Sequence, residues 1–389
     1  MRRGIPSPHS WPSSSTPAWL ASRSRRESPP GAVLVHAPST AFQAPGGGEN
    51  QLVQTARHLE GLEVPVRLFS PWTDRLEAAR LLHLFGMSRE GLELARLART
   101  RGVPTVLSPI CWYEPRAIAA LETHPIRKVA GLGAWCLRLL APRLPSWRRE
   151  LLHLVDVVLP NSRAEANQLA RLFGVARPRL RVVPNGVLPS FGTAEPALFR
   201  ERWGSDPFVL SVGRIEPRKN TLGLIQAARR LGVRLVIIGE AAPGYRGYAQ
   251  QCRQAGGDRV AWLGRLDHHD PVLASAYAAA RVFALPSWFE TPGLAALEAA
   301  LAGCAVLITP YGSTREYFGD LVAYARPHRP EEIRRGLKQC WDDGPDPRLA
   351  PRIASHYLWP IVAQITAEVY DQVARSARSS TRYAVPGMQ

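Results

Sequence analysis

The chain has 389 residues, a 46% hydrophobic share and a formal charge of +17, which is enough length for two domains and enough apolar side chain for large cores. Five scattered cysteines (Cys111, Cys136, Cys252, Cys304 and Cys340), with no CxxC pair, argue against a disulfide framework or a zinc site and for reduced thiols in the cytoplasm. The positive charge, nearly all of it Arg, comes without zinc-finger spacing, an RNP-like aromatic run or a helix-turn-helix, so nucleic acid is set aside as a partner.

Residues 1–30 are basic and rich in Ser, Pro and Arg, with no continuous apolar segment. They read as a disordered tail and not as a secretory signal. No later apolar run approaches the roughly 20 residues of a membrane span. From residue 31 strand-like runs alternate with helical patterns. "AVLVHA" (32–37) precedes "GGGENQLVQTARHLEGL" and "VPVRLFS" (64–70). "PTVLSPI" (104–110), "DVVLP" (156–160) and "RLRVVPNG" (179–186) complete a first block, 31–187. A polar, Pro-containing linker (188–207) follows.

The pattern restarts in a second block, 208–357, with "FVLSVG" (208–213), "RLVIIGE" (234–240), "RVAWLG" (259–264), "RVFALPS" (281–287) and "AVLITP" (305–310). A C-terminal helix (358–377) and a loose tail (378–389) end the chain. Strands separated by helices imply parallel sheets. The predicted fold is α/β, with two Rossmann-like domains facing each other across a cleft.

Ligands of open parallel sheets sit beyond the carboxyl ends of the strands. There, "FVLSVGRIEPRKN" ends a strand at Gly213 and then offers Arg214, Arg218 and Lys219 before a helix. A flexible glycine, cations and a helix N-terminus suit phosphate oxygens. At the same edge "SWFETPGLAALEAALAGC" carries Glu290 and Glu298. Thr291 as N-cap, Pro292 as first helical residue and Gly303 as stop predict a helix over 292–302. Glu298 would then flank its apolar face, four residues after Leu294. A half-buried carboxylate needs a partner, and two readings stand: a structural pair with a nearby Arg, or a ligand for hydroxyl groups. Cations for a diphosphate beside carboxylates for sugar hydroxyls fit a nucleotide-sugar.

"SVGRIEPRKN", "LVIIGE", "WLGRL", "LPSWFETPGLAALEAALAGC" and "GSTREYFGD", in that order, resemble the family 4 glycosyltransferases, retaining enzymes of the GT-B fold. "GGGENQ", "PNSRAEANQL" and "LRVVPNGV" extend the resemblance to the first half. The resemblance implies that Arg214 and Lys219, next to Gly213, bind the donor diphosphate. It implies that Glu298 takes the ribose hydroxyls and Glu290 those of the transferred sugar, near Gly293 and Leu294. Leu266 would lie by the base, and Gly47 and Gly48 would close over the donor. Glu290, Arg214 and Lys219 are thus the expected catalytic set. No metal and no separate cofactor is expected, since the nucleotide-sugar is a substrate.

Two departures from the family pattern stand out. Thr291-Pro292-Gly293 replaces the usual Gly-Phe-Gly, and "VLSPICWYEPR" lacks the histidine of many relatives. His36, ending the first strand, is either a substitute or a structural residue. The implied activity is transfer of a sugar to a saccharide or lipid-linked saccharide, in bacterial surface-polysaccharide or glycoconjugate synthesis. An epimerase-like GT-B enzyme and a non-catalytic nucleotide-sugar binder are the competing readings.

Residues 126–152 interleave Arg127, Lys128, Arg138, Arg143, Arg148 and Arg149 with Trp135, Leu139, Leu140 and Trp147. They form either a surface for an anionic membrane or a core helix with a basic outer face. The first reading places the protein in the cytoplasm, peripheral at the inner face of the membrane.

Overall fold

The computed structural model describes residues 31–43 and 46–382, with side chains to residue 377; the predicted tail 1–30 and residues 383–389 lie outside them. The first sheet contains β1 (Val33–His36), β2 (Val66–Leu68), β3 (Leu81–Phe85), β4 (Thr105–Ser108) and β5 (Val157–Val158), all parallel, in the order β2-β1-β3-β4-β5. Its strands are apolar on both faces because helices cover both. β3 is an addition to the predicted strands. The polar His83 interrupts its apolar run, and the fold satisfies that side chain internally, between Tyr370 Oη (2.6 Å) and Ser108 Oγ (2.9 Å). The predicted strand at 179–186 forms only a bridge from Leu180 to Val158. Pro184 has no N–H to extend a ladder.

The helices of this half that matter below are α1 (Gly47–Glu60), α2 (Pro115–Leu121), α3 (Pro125–Leu140) and α4 (Arg163–Phe173). Ser162 starts α4 by accepting the Glu165 N–H (3.0 Å), an N-cap bond. Residues 188–207 hold the helix Ala197–Trp203, and Phe191 and Phe199 are buried in the core of the second half.

The second sheet contains β6 (Phe208–Val212), β7 (Arg234–Ile238), β8 (Val260–Gly264), β9 (Val282–Leu285), β10 (Ala305–Ile308) and β11 (Ala323–Tyr324), in the order β11-β10-β9-β6-β7-β8, again parallel. β11 was not among the predicted strands; it is two residues long, too short for a periodicity to register. Two helices of this half, α5 (Leu294–Leu301) and α6 (Thr314–Phe318), lead from the cleft edge of the sheet.

The last helix, α7 (Trp359–Arg382), runs past the predicted end at 377 and returns to the first half. There Trp359, Val362, Val369, Tyr370 and Val373 are buried with Val33, Leu52 and Leu81. The chain therefore crosses between the halves twice, and the crossings are bonded to each other: Val187 N–H donates to Tyr357 O (2.7 Å) and Trp359 N–H to Val187 O (3.1 Å). A second seam joins α6 to α4. The Glu316 carboxylate accepts the N–H groups of Arg163 (2.9 Å) and Ala164 (3.1 Å). Tyr317 Oη donates to Asn161 O (2.5 Å) and accepts from Asn185 N–H (2.9 Å). Glu316 thus sits where a helix N-terminus favours an anion.

Candidate functional site

Three neighbouring strands of the second sheet end in glycine at the cleft edge: Gly213 after β6, Gly239 after β7 and Gly264 at the end of β8. Gly239 has φ +148°, and a Cβ there would lie 2.0 Å from Gly213 O, so this edge admits backbone only. Beyond it, Gly213 and Arg214 are exposed. Among the described residues no carboxylate forms an ion pair with Arg214. Its guanidinium reaches toward the first half, where a Cβ on Gly46 would meet Nη2 at 3.2 Å.

Lys219 closes a single 3-10 turn, Pro217–Lys219, and its Cε would lie 3.8 Å from a Cβ on Gly213. Its ammonium donates to Glu290 Oε1 at 2.7 Å, and Arg218 Nη1 lies 3.7 Å from the same oxygen. Arg218 is also held by Glu216 (2.9 Å) and by Phe289 O (3.2 Å). Glu290 is buried. Burial alone would raise its pKa, but the Lys219 and Arg218 charges outweigh burial and hold the carboxyl below its ordinary value. Burial pulls the Lys219 ammonium down, with Glu290 opposing.

The backbone of Glu290 is equally constrained. Its N–H donates to Tyr311 O (3.1 Å), its carbonyl accepts from Ser313 N–H (2.9 Å), and a Cβ on Gly312 (φ +99°) would fall 1.9 Å from that carbonyl. The following peptide, Thr291–Pro292, is cis, and Gly293 has φ +90°. These residues correct the predicted helix start. Gly293 and not Thr291 is the N-cap, and α5 begins at Leu294, because Gly293 lies in the left-handed region (φ +90°, ψ +76°) and not at helical angles. Gly293 packs on Glu290, with its hypothetical Cβ 3.4 Å from Glu290 Cβ.

Glu298, one turn behind Leu294, is buried. Tyr277 Oη donates to its Oε2 at 2.6 Å, and His268 Nδ1 lies 3.6 Å from Oε1. The nearby Arg of the structural reading is not its partner: a tyrosine and a histidine are. Burial and then the Glu298 charge raise the Tyr277 pKa well above the ordinary value, so its proton stays on the bond. Tyr277 and His268 escaped the sequence reading; the pair "HH" two residues after Leu266 was the one signal available. Leu266 itself is half-buried against the core of this half.

Gly47 and Gly48 open α1, whose first turn crosses the cleft. A Cβ on Gly47 would lie 3.6 Å from Leu294 Cδ1, and one on Gly48 3.4 Å from Ile110 Cδ1. Glu49 accepts the Gly46 N–H (2.7 Å), satisfying that one N–H group at this helix end from within the turn. The structure thus brings Gly213, Lys219, Glu290 and Gly293 into one contact chain. Arg214, Gly47 and Leu294 stand beside it, and Glu298 lies a helical turn behind.

On the first half the polar groups behave differently. Glu165 is fully buried and accepts the N–H groups of Cys111 and Asn161, both at 2.7 Å. Burial pushes its pKa up to about 7 against those two bonds. Gln168 exchanges two hydrogen bonds with Tyr113 (2.8 and 2.9 Å). The motif "PNSRAEANQL" therefore shapes the loop after β4. His36 Nε2 is buried with no hydrogen-bond partner among the described residues, and burial lowers its pKa with Glu90 opposing. Among the described residues no group of three or more His, Cys, Asp or Glu could hold a metal ion, and no helix is long and apolar enough to cross a membrane.

Two family models match: "Glycosyltransferase Family 4" over residues 45–191 and "Glycosyl transferases group 1" over 198–353. The O-antigen chain mannosyltransferase B of Escherichia coli is 34% identical over 144 residues, 35% of this chain and 37% of that protein. The D-inositol 3-phosphate glycosyltransferase of Xylanimonas cellulosilytica is 34% identical over 193 residues, 45% of each. The matches thus span less than half the length of these curated relatives. Among solved structures, sucrose-phosphate synthase from Thermosynechococcus elongatus superposes with a TM-score of 0.69 at 18% identity, over 89% of this chain and 100% of that one. Anabaena HepE in complex with UDP and glucose gives 0.64 at 18% identity, over 87% and 99%. These two similarities establish a shared GT-B fold.

Proposed function

Because the chain belongs to the group 1 glycosyltransferases of family 4, we propose that it moves a sugar from a nucleotide-sugar to a saccharide or lipid-linked saccharide, with retention and without a metal. The observation that carries this reading is the Lys219–Glu290 pair at 2.7 Å, beside Arg214, which has no ion-pair partner among the described residues, and close to the N-terminus of α1. A sugar diphosphate laid along this edge meets cations at its phosphates and a carboxylate at its sugar. Lys219 has three N–H groups, so it can hold Glu290 and a phosphate oxygen together.

In the proposed reaction the anomeric carbon–oxygen bond breaks, and its electron pair leaves on the diphosphate. Arg214 and Lys219 stabilise that charge in place from the outset. The acceptor oxygen bonds to the same face of the anomeric carbon, and its proton passes to the departing phosphate oxygen. Glu290 orients the sugar hydroxyls, and Glu298, held by Tyr277, those of the ribose. The mannosyltransferase relative acts on O-antigen chains, and by that analogy the product here is a bacterial surface polysaccharide or glycoconjugate made on the cytoplasmic side.

The test is nucleoside diphosphate release from a panel of nucleotide-sugars, with and without a chelator, and the anomeric configuration of the product by NMR. Release from one donor, unaffected by the chelator and with retained configuration, is expected. Inverted product or loss with the chelator overturns the mechanism. Tight binding without release indicates a non-catalytic nucleotide-sugar binder, and interconversion of donor epimers an epimerase.

A further inference from the structure

Helix α3 is amphipathic the wrong way round for a core helix. None of its residues is fully buried. Trp135 and Leu139, with the later Trp147, turn inward against the first half's core. Arg138 turns inward as well: it donates to Leu144 O (2.8 Å) and lies over the Phe173 ring at 5.3 Å. The outer face carries Ile126, Val129, Leu137 and Leu140, exposed to 73, 71, 49 and 86%. At 3.6 residues per turn these four lie within about 80° of arc. Gly133 and Ala130 fill the gaps between them, so the stripe is continuous and apolar. Residues 123–149 contain no Asp or Glu, and Arg127, Arg143 and Arg148 flank the stripe exposed.

We infer that this face of α3 docks the protein on an anionic lipid bilayer, with the helix lying in the plane of the interface and the stripe in the acyl boundary. The charge pattern selects that occupant. A second copy of this chain would bring the same cations face to face. A bilayer with anionic headgroups offers an apolar layer for the stripe and counter-charge for the flanking arginines.

The position of the helix gives the docking a direction. α3 packs on α2, with a Cβ on Gly131 3.1 Å from Ile118 Cγ2. From α2, Arg116 reaches over the Tyr311 ring at 4.8 Å, and Tyr311 O is the acceptor of the Glu290 N–H. The docking helix is therefore one element removed from the mouth of the cleft, on the first half. That the lipid surface delivers the acceptor rests on the transferase reading; the docking itself does not.

The test is flotation of the full chain with vesicles of phosphatidylcholine alone or of an equimolar mixture with phosphatidylglycerol. The wild type should float with the anionic vesicles alone. Its partition should fall as salt rises from about 0.1 M to about 1 M, which shortens screening from about 10 Å to about 3 Å. Val129→Asp and Leu140→Asp, both at exposed positions, should each weaken partition about tenfold or more, the scale of one apolar side chain lost from an interface. Both should keep the melting temperature and the release of nucleoside diphosphate in solution. Flotation unchanged by both substitutions overturns the assignment, as does failure of the wild type to float at low salt. A concentration-dependent doubling of mass that Leu140→Asp abolishes overturns it in favour of a second copy. Normal flotation with no sugar transfer leaves the docking intact and counts against the transferase reading alone.

Discussion

The two edges that face each other across the cleft use buried charge in opposite ways. On the second half Glu290 and Glu298 are buried and Lys219 half-buried at a sheet edge stripped to glycine, and Arg214 beside them has no ion-pair partner among the described residues. On the first half the buried carboxylate of Glu165 and the amide of Gln168 are spent on the backbone of the loop at 111–113. The first arrangement has unused hydrogen-bonding capacity directed at the cleft; Glu165 and Gln168 have consumed theirs, although His36 Nε2 and both polar side-chain atoms of Asn161 have no hydrogen-bond partner among the described residues. The proposed donor chemistry is therefore concentrated in a few side chains of the second half, while the first half supplies shape, the α1 N-terminus and the surface of α3.

The sharpest way to break this contrast is Lys219→Ala. It should lower turnover about 10² to 10³, the range for loss of a preorganised donor. It also leaves Glu290 with only Arg218 nearby, so a lowered melting temperature should accompany the rate loss. Lys219→Arg should recover little, because a wide planar fork does not replace a compact ammonium. Wild-type turnover in Lys219→Ala would move the phosphate site elsewhere.

Glu165 tests the other edge. Its pKa is about 7 in the fold against an ordinary 4.5, so the folded state holds its proton more tightly. Stability from this group is greatest below about pH 4.5 and is lost as pH rises through about 7, by about 3 kcal/mol for about 2.5 units. Glu165→Ala should flatten that slope in urea melts between about pH 5 and pH 8. An unchanged slope would remove Glu165 as its source.

Glu290→Gln should cost about tenfold to a hundredfold in turnover, the size of one buried polar group left poorly paired, with less effect on nucleoside diphosphate affinity. Since its carboxyl is held below the ordinary range, Glu290 itself contributes no acidic limb to the rate profile above about pH 4.5. Equal losses of affinity and turnover would make it a binding residue only.

The smallest effect is expected from Tyr277→Phe. Removing the 2.6 Å bond to Glu298 should weaken nucleotide binding about tenfold, as for a hydrogen bond to a charged group, and leave turnover at saturation unchanged. A change in saturated turnover instead would place Glu298 nearer the reacting atoms than the ribose.

These regions also differ in how much of them a reader of the sequence could see. The five predicted strands of the second half are all present, because each is a β-rich run closed by Gly or Pro. The cations and glutamates were visible because charge in an apolar run is conspicuous. What binds them was not. Tyr277 reaches Glu298 from a separate helix, and no spacing rule links residues 277 and 298. The start of α5 was misplaced because Thr-Pro reads as an N-cap and first turn, whereas Gly293 takes a positive φ. In the first half β3 was hidden by His83. The basic segment at 126–152 is visible in the sequence, but which way its residues face is not: Trp135 and Arg138 point in, and Leu140 points out. Composition locates such a segment, and only packing orients it.

The doubled crossing at Val187 and Trp359 has a mechanical meaning. Both passages of the chain run through one rung of hydrogen bonds, an axle beside which the α6–α4 seam is a second tie between the halves. A sliding or separating movement of the halves would have to break this rung and the α6–α4 seam together. The axle is also tightly filled: a Cβ on Gly186 would land 2.6 Å from Trp359 Cδ2. One methyl group there is a wedge in the joint, and Gly186→Ala should lower the melting temperature while altering none of the side chains proposed to bind the donor.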